Sequence, residues 1–196
     1  MTDLIRIAPA PRAIPPKTRE KVLSAAATLL QNHGYAHVTM EGVAAHAGTA
    51  KTTLYRWWPT KAALLLDLFD VLSEELADPD TGDTRADLKA YLQQLLSMMS
   101  RNAAQATATG MFAEAQSDPA TKEEVCAHFT SFRKSVLGTI IDRGLARGDI
   151  RAGVNREILE EILVAPFWFR ILVAHEDVST TDCAHWVDAA LDGLKG

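Results

Sequence analysis

Between residues 49 and 64 the chain reads TAKTTLYRWWPTKAAL, which places Lys51, Thr52, Thr53, Tyr55, Arg56, Trp57 and Lys61 together with no carboxylate among them. Lysine and arginine donate to phosphate oxygens and to the edge of guanine, and threonine and tyrosine hydroxyls donate to phosphate. Such a set is suited to holding a polyanion rather than to breaking a bond. The charge distribution agrees with it. Residues 1–63 carry eight Lys or Arg against three acids, a balance of +5, whereas the remainder carries twelve against twenty-two, a balance of −10. The overall charge of −5 therefore hides a basic N-terminal third on an acidic body.

Other chemistries lack their residues. No HExxH, P-loop, GxSxG, GxGxxG or paired-cysteine zinc spacing occurs. His175, Glu176 and Asp177 are consecutive but have no partner at helical spacing, so neither a metal nor a cofactor is expected. Cys126 and Cys183 lie far apart in neither a CxxC nor a Cys/His pattern and are expected as reduced, small hydrophobes. No apolar run approaches the roughly 20 residues that cross a bilayer. The N-terminal MTDLIRIAPAPRAIPP has neither the apolar core nor the cleavage pattern of a secretory signal, so a cytoplasmic protein with no membrane partner is expected.

The elements that must carry these residues are helical throughout. Pro9, Pro11, Pro15 and Pro16 make residues 1–16 an extended arm. Val22, Leu23, Ala26, Leu29 and Leu30 recur at helical spacing, with Gly34 placed to end the first helix. Thr39 is expected to cap a short second helix that Gly48 closes, AKTTLYRWW forms a third ending at Pro59, and Thr60 caps a fourth. Three short helices with a tight glycine turn before the third form the pattern of a helix-turn-helix, whose last helix enters a DNA major groove. A fifth helix over Leu88–Met99, a weaker one interrupted at Gly110, a long one over residues 120–147 and two C-terminal helices complete an all-α chain of about nine helices. The division is an arm (1–16), a DNA-binding domain (17–62) and a larger helical domain (63–196).

The segment TMEGVAAHAGTAKTTLYRWWPTKAALL resembles the DNA-binding segment of the tetracycline-repressor (TetR) family through Val43, Ala44, Gly48, Lys51, Thr53, Leu54, Tyr55, Trp57, Trp58 and Lys61. The resemblance implies a homodimeric regulator of transcription, usually a repressor, released from a palindromic DNA operator by a small-molecule effector. It implies that Thr39, Tyr55 and Lys61 bind phosphates while Lys51, Thr52 and Thr53 reach base edges, a set that extends to Arg56 and Trp57. Two positions depart from the family pattern. Ala50 stands where Ser is frequent, which leaves Thr49 as the substitute cap, and Trp57 either reaches DNA or packs on the bundle.

The same resemblance implies a ligand cavity among the later helices. Flexible methionines (Met98, Met99, Met111) and flat aromatics (Phe112, Phe129, Phe132, Trp168) suit an apolar effector, with His128 and Arg133 as polar neighbours. ILEEILVAPFWFRILV, residues 158–173, is apolar around most of its circumference and must be buried on two sides, against its own domain and a second subunit. Ile162, Pro166, Phe169 and Val173 on this helix, with Trp186, Ala190 and Leu194 on the last, are the expected dimer face, and Pro166 is expected to kink its helix. A helical interaction bundle with a basic face, or an enzyme, are the alternatives.

Overall fold

The computed structural model describes residues 14–193, apart from residues 75, 101 and 135 and the side chains of Asn102, Phe132, Arg133 and Lys134. The expected arm thus lies almost wholly outside the described residues. Helix α1 (Pro16–His33) starts one residue earlier than expected, because a proline at the first helical position gives up an N–H that has no intrahelical acceptor. It buries Val22, Leu23, Ala26 and Leu30 and ends where the Gly34 N–H donates to the Leu30 carbonyl. A single 3₁₀ turn, Tyr35–His37, leads to α2 (Met40–His46), whose start is capped by Thr39 accepting from the Gly42 N–H at 3.0 Å.

Gly48, at a φ of +58°, turns the chain through the left-handed region and so sets the short link between α2 and α3 (Lys51–Trp57). Thr49 does not cap α3. The helix begins at Lys51 after an extended Ala50, so Thr49 lies one residue too early, and α3 has no side-chain cap. Thr60 caps α4 (Lys61–Ser73) by accepting from the Ala63 N–H at 2.9 Å.

The remaining elements are α5 (Thr84–Met99), α6 (Asn102–Ala115), α7 (Pro119–Lys134), α8 (Val136–Arg147), α9 (Arg156–Phe169), a π turn over Arg170–Ala174 and α10 (Thr180–Asp192). Among the described residues there is no strand. Helix α6 runs through Gly110 without interruption. The glycine serves packing, since a Cβ there would fall 2.0 Å from Cγ of Tyr35, whose ring lies against the helix backbone. Pro166 lies within α9, and the widened π turn begins four residues later, ending at His175 in the left-handed conformation.

Two hydrophobic clusters share α4. Leu64, Leu65, Leu66 and Leu68 pack with α1–α3 and with Met111, Ala115 and Val125 from α6 and α7. Phe69, one residue on, packs with α5, α6 and α8–α10. No helix among the described residues is long and apolar enough to cross a membrane.

Ion pairs bind the edge of the second cluster. Arg85 on α5 reaches Asp188 and Asp192 on α10 at 2.5 Å each, and Lys89 donates to Asp188 at 3.0 Å. Hydrogen bonds from Lys89 and Arg85 hold the Asp188 carboxyl below its ordinary value. A depressed carboxylate contributes stability that is fully present above its unfolded pKa, about 3.9, and is lost as pH falls through the lower folded value. Melting temperature is therefore expected to fall from pH 5 toward pH 3, and Asp188→Asn to flatten part of that dependence in a pH series at fixed ionic strength.

Candidate nucleic-acid interface

Helix α3 has seven residues, so its direction comes from its neighbours rather than from its own hydrogen bonds. Leu54 is fully buried on its inner side, and Trp58, its C-terminal cap residue, is buried below it. The Trp58 indole N–H donates to Asp67 Oδ2 on α4 at 2.8 Å. Arg19 on α1 donates to the other oxygen of the same carboxylate from Nε at 3.0 Å and from its terminal nitrogen at 2.5 Å. The hydrogen bonds that Arg19 donates to Asp67 raise the Arg19 pKa further above its ordinary value. One carboxylate thus joins α1, α4 and the end of α3.

With Leu54 and Trp58 turned inward, Lys51, Thr52, Tyr55 and Arg56 form the exposed face of α3. Thr53 and Trp57 flank it half-buried. The Trp57 ring packs on the first cluster and carries the Arg56 guanidinium 4.7 Å from its centroid, so between the two readings left open for this residue the ring lies on the bundle. Thr39 is exposed at the start of α2, its oxygen accepting from the backbone. Tyr55 is 44% exposed, and its hydroxyl donates to Glu41 Oε1 at 3.3 Å. Lys51 Nζ is 3.6 Å from the same oxygen.

Lys61 sits differently. Its Nζ is 2.6 Å from Glu114 Oε2 on α6 and 4.1 Å from the centroid of the Tyr35 ring. Burial, with the charge of Glu114 adding to it, raises the Tyr35 phenol far above its ordinary pKa. Beside Lys61, the Thr60 hydroxyl donates to Glu124 on α7 at 2.9 Å. The beginning of α4 is thereby fastened to two helices of the larger domain.

A cavity of about 250 Å³ lies between α5, α6, α7 and α9. Phe112, Phe129 and Trp168 line it as mutually packed rings, with centroids 4.7 Å (Phe112 to Phe129) and 5.1 Å (Phe112 to Trp168) apart. Tyr91, Leu95, Cys126, Thr130 and Val164 complete the lining. Burial pushes the Tyr91 phenol up to about 12, with a contribution from the charge of Glu160, which is wholly buried and accepts from Arg156 Nε at 2.9 Å. On the outside of α9 and the π turn that follows it, Ile158, Ile162, Phe169 and Val173 form an exposed apolar stripe, Phe169 at 59% and Val173 at 63%.

Family models match nearly the whole of this architecture: one described as "Bacterial regulatory proteins, tetR family" over residues 22–68 and one described as "Tetracyclin repressor-like, C-terminal domain" over residues 78–190. The chain belongs to the TetR family. It is a DNA-binding, helix-turn-helix transcriptional regulator. The crystal structure of the TetR-family regulator SCO0332 superposes with a TM-score of 0.78 at 32% identity, over 92% of this chain and 100% of that one. The transcriptional regulator YdeS of Bacillus subtilis (strain 168) is 26% identical over 91% of this chain and 90% of its own, and the repressor TetR of Mycobacteroides abscessus 28% identical over 76% and 80%. FadR of Bacillus subtilis, solved with stearoyl-CoA, shares the fold at 16% identity and a TM-score of 0.66, over 90% of this chain and 99% of that one. Members of the TetR family bind DNA operators, dimerise and bind small-molecule effectors.

Against that background the expected site residues divide. Lys51, Thr52, Tyr55 and Arg56 share one surface, and Lys61 is directed into the contact between α4 and α6. Met98, Met99 and Met111 are core residues rather than cavity lining, each no more than 2% exposed. Helical periodicity marks them as inward-facing, and inward is where the core lies too. His128 is directed away from the cavity, its Nε2 3.1 Å from Asp70 on α4. The side chains of Phe132 and Arg133, and Leu194, lie outside the described residues. Pro166, Trp186 and Ala190 are half-buried, with Arg170 5.9 Å over the Trp186 ring. Sequence reasoning missed Ile158, although it falls four residues before Ile162 on the same stripe. It also missed Tyr91, which falls within the fifth helix expected over Leu88–Met99. Cys183 is buried and its thiol pushed up to about 11 by burial, with the charge of Asp182 adding to it, so it is protonated at neutral pH.

The joint at Asp67 yields a direct test. Asp67→Ala strands the buried Trp58 N–H and releases Arg19, with an expected loss of about 1–3 kcal/mol in urea denaturation.

Proposed function

We propose that this regulator acts as a homodimeric repressor that binds an inverted-repeat operator through α3 and leaves it when a small apolar effector occupies the cavity at Phe112, Phe129 and Trp168. The observation that carries the reading is the exposed face of Lys51, Thr52, Tyr55 and Arg56 on an otherwise acidic chain. Lys51 and Arg56 have the donors for guanine O6 and N7, the Thr52 and Thr53 methyls suit thymine, and Thr39 and Tyr55 are placed for phosphate. Trp57 supports this face from beneath. The working division is the one expected from the sequence, an arm through residue 16, a DNA-binding domain over 17–62 and an effector and dimerisation domain over 63–196, with α4 spanning the last boundary.

Two copies would meet through the stripe on α9 together with α10, which supplies the twofold axis that a palindromic operator requires. Effector control follows from linkage, since a ligand that binds better to the form unable to fit DNA shifts the population toward that form. Helix α6 carries both Phe112, at the cavity, and Glu114, which holds Lys61. A ligand that wedges against Phe112 would fix α6 and Glu114 in the position that holds the Lys61 amine, keeping it from DNA. In this reading Lys61 reaches operator phosphate only when Glu114 lets it go.

Selection of random duplex DNA by the full-length protein at near-physiological salt is expected to recover an inverted repeat; recovery of no preferred sequence would refute sequence-specific reading. On the selected site, Tyr55→Phe and Lys61→Ala are expected to weaken binding to all sequences, while Lys51→Ala also relaxes base preference, at about 1–3 kcal/mol per lost base contact. Unchanged affinity of Lys61→Ala would remove its phosphate role and leave it as a strut between α4 and α6. Phe169→Arg is expected to yield monomers in sedimentation; a persistent dimer would place the interface elsewhere.

A further inference from the structure

Glu41 is the sole carboxylate between residues 21 and 66, a stretch that also holds Lys21, Lys51, Arg56 and Lys61. It is exposed in the first turn of α2, where a backbone N–H bond holds its carboxyl below the ordinary range and its charge suits the positive end of the helix. From there a single oxygen, Oε1, accepts from the Tyr55 hydroxyl at 3.3 Å and lies 3.6 Å from Lys51 Nζ. Lys51 and Tyr55 stand one turn apart on α3, so both lean toward α2 on one acceptor. A phosphate oxygen or the edge of a guanine accepts from these same donors.

We propose that Glu41 is a specificity-determining residue of the DNA-reading face: its carboxylate holds Lys51 and Tyr55 in the free protein, and any DNA must take both donors from it. This rests on the DNA reading of α3 above. A site that offers well-placed acceptors to both donors compensates for the exchange. A random sequence offers phosphate alone, and its backbone also meets the Glu41 charge at close range. The clasp therefore penalises non-specific DNA more than the operator. It costs the fold little, because an exposed ion pair contributes little stability. It also lowers the number of counterions displaced on non-specific binding, since a lysine already paired with a carboxylate neutralises no phosphate.

The test titrates wild type and Glu41→Gln with a random-sequence duplex across a range of salt, then with the site that wild type selects from a random pool. Glu41→Gln is expected to bind the random duplex about three- to tenfold more tightly, with a salt dependence steeper by about one ion, and to lose part of its preference for the selected site. In a Lys51→Met, Tyr55→Phe background the same glutamine substitution is expected to change random-duplex affinity by less than about twofold. Equal affinities of wild type and Glu41→Gln would overturn the proposal. So would a gain that survives in the double background, which would mark Glu41 as acting through net charge alone. Absence of any salt-sensitive binding by wild type would overturn the DNA reading itself, and the clasp with it.

Discussion

Because α3 is only two turns long, the direction of its outer face is inherited from what grips its inner one, and that grip closes on Asp67. The carboxylate has two oxygens, and each is used for a different neighbour: Oδ2 for the Trp58 indole and Oδ1 chiefly for Arg19. Leu54 supplies apolar burial without direction. The hydrogen bonds add the direction, since a Trp N–H donates along one line and a guanidinium forks in one plane. Lys51, Thr52, Tyr55 and Arg56 face outward together as a consequence of an interaction on the opposite side of their helix.

The same helix that carries Asp67 begins with Lys61 and continues into the second cluster through Phe69. A rigid rod shared by two cores cannot move in one without moving in the other. At its first turn, Lys61 and Thr60 are tied to Glu114 and Glu124, and Tyr35 fills the groove that Gly110 leaves in α6. This contact is polar and only partly buried, in contrast to the apolar packing of Leu64–Leu68. Polar, partly wet contacts of this kind exchange partners at low cost, whereas packed cores resist small displacements. A polar joint of this kind thus stands at the start of α4, the helix that follows α3 in the chain.

The helices and caps were legible because their signals are local. Thr39, Thr60, Gly34 and Gly48 act within four residues of themselves, and the structure places each as its neighbours imply. Gly110 was misread for a non-local reason: its small size accommodates Tyr35, 75 positions earlier, and nothing within α6 announces that. The cavity was half legible. Phe112, Phe129 and Trp168 line it, but Met98, Met99 and Met111 are equally apolar and equally periodic, and which inward residue meets a void depends on how helices cross. Asp67 carried a readable signal, a single acid in the apolar run ALLLDLF, though its partners on α1 and α3 appear only when the helices are assembled.

The placement of carboxylates explains how an acidic protein presents a basic surface. In the larger domain Asp78, Asp149 and Asp188 pair with Arg143, Arg147, Arg85 and Lys89, so much of its negative charge is spent within the fold. Near α3 the acids are few and each touches a named donor, Asp67 from below and Glu41 from the side. Pairing below fixes where the helix points, while pairing at the side competes with the ligand for two of the helix's own donors. Two chemically identical groups thus act in opposite senses because one is partly buried with geometrically fixed partners and the other is exposed where nucleic acid would arrive. Net charge alone distinguishes neither, and the local geometry of each carboxylate is what turns a −5 chain into one with a surface fit for a polyanion.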